Sequence, residues 1–198
     1  MADDVLLYIS AAPYLTTERE VLSRATAEIP TSLGWRVTQT PAVNEPLDLE
    51  AAAAAHVHLL VLSSDIRAPL GAEWQAARRA GHMPVLFLQQ AVPRTLAALA
   101  FVRELERHTA WRSYRDAADL HRQALALLTE HILSEASIYR LGAGEMERLR
   151  AWQEQLEKAA GQPEEPAGKG AGAGGIIFSL ERYVPSQGRL VGPAQTEE

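Results

Sequence analysis

A three-layer α/β domain built on a doubly wound parallel sheet is the fold class this sequence predicts, and three observations predict it. Short, nearly continuous apolar runs at residues 5–9, 57–62 and 84–88 suit strands buried on both faces. Stretches between them carry helix-start and helix-stop residues around an apolar stripe. The two kinds of segment alternate at the spacing of βαβ units, which pack helices on both faces of one sheet.

Taken in order, residues 5–9 form the first strand and Pro13 breaks the chain after it. Thr17 and Glu20 have capping-box spacing at the start of a helix. Leu22, Ala25 and Ile29 share its inward face, and Pro30 and Gly34 close it. Residues 35–40 alternate and are rich in β-formers, so they read as the second strand. A short alanine-rich helix covers 48–55, the third strand 57–62, and a polar loop 63–70. A helix follows over 71–80, stopped by Gly81, and Pro84 opens the fourth strand, where a missing N–H is tolerated. A helix over 93–108 buries Ala98, Val102 and Leu105; residues 109–114 form a short fifth strand. Asp116 caps a long helix with an inward stripe of Leu120, Ala124, Leu127 and Leu128. This arrangement is of the flavodoxin-like type, with strand order 2-1-3-4-5.

The α/β domain is expected over residues 1–140. Beyond it a charged helix over 141–160 carries Leu149, Trp152 and Leu156 as an apolar seam, with Glu154 and Lys158 at i,i+4 spacing. Residues 161–175 read as a flexible Gly/Pro-rich linker, and 176–198 as a β-hairpin and tail. A lone hairpin is marginal in water, so it is expected to pair with a sheet edge or another chain, which makes a protein partner or homo-oligomer through this extension one expectation.

Composition excludes several classes. Hydrophobic residues make up 47% and charged residues 22% of the 198, as in an ordinary globular chain. A formal net charge of -6 gives no general attraction for nucleic acid. The absence of cysteine removes disulfides, thiolate metal sites and cysteine nucleophiles, and suits a reducing, cytoplasmic setting. No positive n-region precedes the first apolar run. No run approaches the ~20 apolar residues that span a bilayer, so no membrane association is expected. Neither a Gly-x-Gly-x-x-Gly nor a Walker-type loop is present, nor a Gly-x-Ser-x-Gly elbow. His56 and His58 flank Val57 without a third ligand nearby and read as histidines at a strand start rather than a metal pair. No cofactor is implied.

In the 2-1-3-4-5 order the crevice opens at the carboxyl ends of the first and third strands. Loops 10–16 and 63–71 line it. Glu73 lies in the first turn of the next helix, where free amides and the helix dipole favour negative charge. It shares a face with Ala77 and Ala80 and is expected to point inward. The plainer alternative is a glutamate that only stabilises its helix end. Trp74 beside it suits packing better than stacking on a base.

The stretch 63–87, SSDIRAPLGAEWQAARRAGHMPVLF, resembles the nucleoside 2-deoxyribosyltransferase-like and TIR-like superfamily. Its pattern is strand, polar loop, a glutamate early in the next helix, small residues, then Gly-x-x-Pro before another strand. Tyr8 to Ser10 with the Thr-Glu-Arg-Glu of 17–20 resembles the start of TIR-like domains at the N-termini of STAND-type NTPases. The resemblance covers residues 5–133. It implies a domain that binds a nucleotide or nucleoside derivative, with Glu73 as the carboxylate that traps or stabilises the sugar when an N-glycosidic bond breaks. It also implies Asp65 for sugar hydroxyls and Ser10 and Tyr14 for base or phosphate. Ser64 and Arg67, in the same loop as Asp65, complete the candidate set. Many TIR-like domains instead serve as interaction or signalling modules. A crevice that brings a partly exposed Glu73 close to Ser10 and Asp65 marks the catalytic reading; a crevice filled by side chains, with a large apolar patch on the C-terminal extension, marks the other.

Overall fold

The computed structural model describes residues 4–42, 44–109 and 111–161. Five parallel strands form one sheet in the order β2-β1-β3-β4-β5, the flavodoxin-like arrangement. They are β1 (Val5–Ala11), β2 (Trp35–Gln39), β3 (Val57–Leu62), β4 (Val85–Gln89) and β5 (Trp111–Tyr114). The intervening helices are α1 (Thr16–Glu28), α2 (Leu49–Ala54), α3 (Leu70–Arg79) and α4 (Leu96–Glu106), followed by α5 (Ala117–Ser134) and α6 (Ala143–Gly161). Among the described residues no helix is long and apolar enough to cross a membrane.

Side chains alternate across a strand, so each run of apolar residues feeds two cores. On one face Leu7, Ile9, Leu59, Val61 and Phe87 pack with Leu22 and Ala25 of α1 and Leu120, Ala124 and Leu128 of α5. On the other, Leu60, Leu62, Leu86 and Leu88 pack with Leu70 and Trp74 of α3 and Val102 and Leu105 of α4. Trp74 meets Phe101 edge-on with ring centroids 5.9 Å apart, which settles its role as packing. Tyr8 stands on this second face, against Ala52 and Ala55. Its register neighbours are Thr38 on β2 and His58 on β3.

Three helix starts share one chemistry, a side-chain oxygen that accepts the amide three residues on. Asp48 accepts the Ala51 amide before α2, Thr95 accepts the Ala98 amide before α4, and Asp116 accepts the Asp119 amide before α5. The expected capping box of α1 does not form. That helix begins two residues earlier, with Leu15 rather than Thr17 at its N-cap and no side-chain cap bond, so Thr17 sits inside the first turn and has no cap to supply. In α3, Ala77 is buried as expected, whereas Ala80 ends the helix and is exposed.

The charged helix α6 docks on the domain itself. Leu149 is buried in the α1/α5 core, with Leu141 and Leu156 packed against it. At its start Glu145 accepts the Ser32 amide at 2.6 Å and the Thr31 hydroxyl at 3.0 Å. The Ser32 amide bond, with the hydroxyls of Ser32 and Thr31 behind it, holds this carboxyl below its ordinary range. The linker and hairpin expected over 162–198 lie outside the described residues.

Leu59 is fully buried at the centre of the sheet. Its truncation leaves a cavity that close-packed neighbours fill only in part, so Leu59→Ala is expected to cost about 2–5 kcal/mol. Urea denaturation should show a lower midpoint with an unchanged slope.

Candidate functional site

The polar residues that interrupt the second face of the sheet converge on one carboxylate. Tyr8 and Ser10 alternate along β1, His58 lies beside them on β3, and Thr40 follows the end of β2. Glu73 reaches into this group from the first turn of α3. Its Oε1 accepts the Tyr8 hydroxyl at 2.9 Å. Its Oε2 accepts the Ser10 hydroxyl at 2.6 Å and the Thr40 hydroxyl at 2.9 Å. Glu73, Tyr8, Ser10 and Thr40 are all 0% exposed.

The donors are themselves oriented. Thr40 Oγ1 accepts the Ala11 amide at 3.1 Å, and its proton has a carbonyl alternative, Ile9 O, only at 3.5 Å; the shorter bond to Glu73 takes it. Ser10 Oγ lies 2.8 Å from His58 Nε2. Burial, followed by the charge of Glu73 and the hydrogen bond to it, pushes the Tyr8 phenol far above its ordinary value, so it remains a donor. Burial, helped by the nearby His82, pushes the His58 imidazole down to about 4, so it is neutral at neutral pH.

Among the described residues Glu73 has no ion-pair partner. Taking a carboxylate out of water costs several kcal/mol even after relaxation. A hydrogen bond to a charged group returns about 1.5–3 kcal/mol, so three hydroxyl donors are of the size needed to offset that cost. The carboxylate accepts no backbone amide, which sets it apart from a glutamate that merely stabilises its helix end. Arg19 braces the neighbouring backbone instead, donating to the Thr40 carbonyl at 2.6 Å and to Gln39 Oε1 at 2.9 Å.

Of the residues singled out from sequence, the structure brings Ser10 and Glu73 together. Ser64, Asp65, Arg67 and Tyr14 form a separate group. Asp65 accepts the Thr95 hydroxyl at 2.7 Å, the Ser64 carbonyl accepts the Thr95 amide at 2.9 Å, and Arg67 lies 3.9 Å from Asp65. The Arg67 guanidinium also sits 5.5 Å from the centroid of the Tyr14 ring, and Tyr14 is 44% exposed. These contacts tie the loop after β3 to the start of α4 and leave Asp65 unbonded to Glu73. Tyr8, Thr40 and His58 are members that the sequence reading did not assign to the site. Tyr8 and His58 have a legible signal: each breaks an apolar run with a polar atom on the same strand face as Ser10.

A pocket of about 280 Å³ lies at the carboxyl edge of the sheet, lined by Pro13, Pro41, Ala42, Leu47, Ala68 and Pro69 among others. Pro41 follows Thr40 directly, and the Pro69 carbonyl accepts the Glu73 amide at 3.1 Å. Two walls of the pocket thus adjoin the group that holds the carboxylate, Pro41 through its bond to Thr40 and Pro69 through its hydrogen bond to the Glu73 backbone. At the opposite edge a pocket of about 380 Å³ is lined by His56, His58, His82, His131, Arg112 and Glu130, with others. His56 Nδ1 there accepts the Leu6 amide at 3.2 Å. Among the described residues no three His, Asp or Glu side chains are set to hold a metal ion. No family model, curated protein or solved structure matches the chain.

The neutral His58 links this site to stability. Its folded pKa of about 4 lies below the ordinary 6.5, so the unfolded chain takes up the proton first. The contribution is complete above about pH 6.5 and is lost as pH falls towards 4, by at most about 1.4 kcal/mol per pH unit. Denaturant titrations between pH 7 and 4.5 are expected to show this slope flattened in His58→Gln. Equal slopes in the two proteins contradict it.

Proposed function

We propose that this chain binds a nucleotide or nucleoside derivative, of the NAD or nucleoside kind, and cleaves its N-glycosidic bond with Glu73 as the working carboxylate. One observation carries the reading: a carboxylate without a cation among the described residues, positioned at the switch point of a doubly wound sheet by three hydroxyls. Buried charge left without a counter-ion is costly, and such arrangements cluster at functional sites. The likeness of residues 63–87 to the deoxyribosyltransferase-like and TIR-like superfamily supports the same assignment.

The chemistry suits the group. As the bond from the anomeric carbon to the base nitrogen breaks, its electron pair leaves with the base and the sugar becomes positive. A fixed carboxylate stabilises that charge or bonds to the carbon, and water or a second free base then displaces it. Oε2 already accepts two hydrogen bonds and Oε1 one, so Oε1 is the oxygen with capacity left for the sugar. Because Glu73 is fully covered, substrate reaches it only when the loops at the carboxyl edge move apart. Such closure also excludes water from the reacting centre.

The same complete burial favours a second reading, in which the hydroxyl-bound carboxylate is a structural lock in a protein-interaction or signalling module. Leu96 and Leu99 on α4, 86% and 39% exposed, suit such a contact. Turnover separates the two. Purified protein and Glu73→Gln, matched for folding by circular dichroism, are incubated with NAD and a panel of nucleosides, and released base is measured by chromatography. The catalytic reading expects base release by the wild type and a loss of at least about 100-fold in the variant, in line with removal of a charge-stabilising group. No release from any substrate by the folded wild type favours the module.

A further inference from the structure

Ser10 and Thr40 both donate to Glu73 Oε2, and each hydroxyl has only one proton to give. For Thr40 the choice is made by backbone, since the Ala11 amide occupies its oxygen. For Ser10 the neighbour is a histidine, which can donate or accept. Ser10 Oγ lies 2.8 Å from His58 Nε2 and 2.6 Å from Glu73 Oε2. The other ring nitrogen, His58 Nδ1, is buried and has no hydrogen-bond partner among the described residues, and the whole side chain is 3% exposed.

For an ionised Glu73 these facts leave one consistent proton arrangement. With the proton on Nδ1, Nε2 accepts and Ser10 must donate to it. Two oxygens, Ser10 Oγ and Glu73 Oε2, then face each other at 2.6 Å with no proton between them, and Nδ1–H is a buried donor with nothing to bind. Both features are unfavourable, since an orphaned buried donor forfeits its hydration without recompense. With the proton on Nε2, His58 donates to Ser10, Ser10 donates to Glu73, and Nδ1 is left only with an unshared lone pair. Tyr8 packs edge-on against the ring at 5.1 Å between centroids and holds its plane.

We infer that His58 is a positioning residue of the Glu73 site: as the Nε2–H tautomer it commits the single proton of Ser10 to Glu73 Oε2. It touches neither the carboxylate nor any reacting atom, and acts through Ser10. Thr40 and Ser10 thus form a pair of oriented donors, one set by the Ala11 amide and one by this imidazole. They hold Oε2 and leave Oε1 facing chemistry. The role of the residue in turnover rests on the reading of Glu73 as the working carboxylate; the tautomer does not.

The test is accordingly made without substrate. The full chain labelled with ¹⁵N-histidine is examined at pH 7 by long-range proton–nitrogen correlation, with His58→Gln used to assign the ring. The expected result is a His58 ring protonated at Nε2 and bare at Nδ1. In Ser10→Ala, which removes the acceptor of Nε2–H together with one donor to Glu73, both tautomers are expected. A wild-type ring protonated at Nδ1, or a pure Nε2–H ring that persists in Ser10→Ala, overturns the inference. If the wild type turns over substrate, His58→Leu is expected to lower kcat by about 10- to 100-fold with KM little changed, the scale of loss when a group orienting a reactive ligand is removed. His58→Gln, whose amide N–H replaces Nε2–H, is expected to restore most of it. Equal loss in both variants contradicts the positioning role, whereas a wild type without turnover bears on the reading of Glu73 and leaves the tautomer result standing.

Discussion

A carboxylate buried without a cation is an electrostatic debt that a domain carries only if its surroundings are arranged for it. Here the arrangement draws on three strands and one helix. β1 supplies Tyr8 and Ser10, the end of β2 supplies Thr40, β3 supplies His58 behind Ser10, and α3 supplies Glu73 itself. Moving any of these elements by more than a fraction of a hydrogen-bond length strands a charge in a low-dielectric interior, where an unpaired group is costly. The pairing of β1 with both β2 and β3 and the seating of α3 are therefore coupled to one side chain.

That coupling explains the division of the second sheet face. Towards β4, the face is aliphatic, with Leu60, Leu62, Leu86 and Leu88 under α3 and α4. Towards β1, it turns polar, and the small residues of α2 close over Tyr8. Alanines at 52 and 55 leave room for a tyrosine ring that larger residues would displace. The opposite face is mainly apolar, with Gln39 at one edge bonded to Arg19 of α1, and carries α1, α5 and the docked α6. One face thus supplies most of the packing, and the other supplies packing and the site.

Much of this was legible in the chain. Apolar runs at 5–9 and 57–62, the breaks at Pro13, Gly34 and Gly81, and the regular alternation of segments carry the sheet order, because a parallel sheet covered on both faces needs that pattern. Glu73 was legible from its place after the third strand, where the order of strands reverses. Its partners were less so. Tyr8 and His58 sit in runs that read as core, and only the strand period shows that they share a face with Ser10. Thr40 ends a strand, and its approach to Glu73 depends on where the loop after β2 turns, which no local pattern encodes. Asp65 entered the candidate set through the superfamily resemblance, and Arg67 as its neighbour in the same loop. The structure gives them the start of α4 and the ring of Tyr14 as partners, contacts across distant segments that spacing does not show. The capping box at Thr17 failed for the opposite reason, since its signal was local and the helix began two residues earlier.

The measurement that tests this account most directly is a double-mutant cycle on stability between Tyr8→Phe and Glu73→Gln, read by urea denaturation at pH 7. Phenylalanine keeps the ring and removes the donor; glutamine keeps the shape and removes the charge. If the carboxylate depends on its hydroxyl donors, the two changes are strongly non-additive, with a coupling energy in the range of about 0.5–3 kcal/mol found for residues in direct contact. Additive effects, within the few tenths of a kcal/mol expected for independent sites, would contradict the claim that these hydroxyls hold the charge.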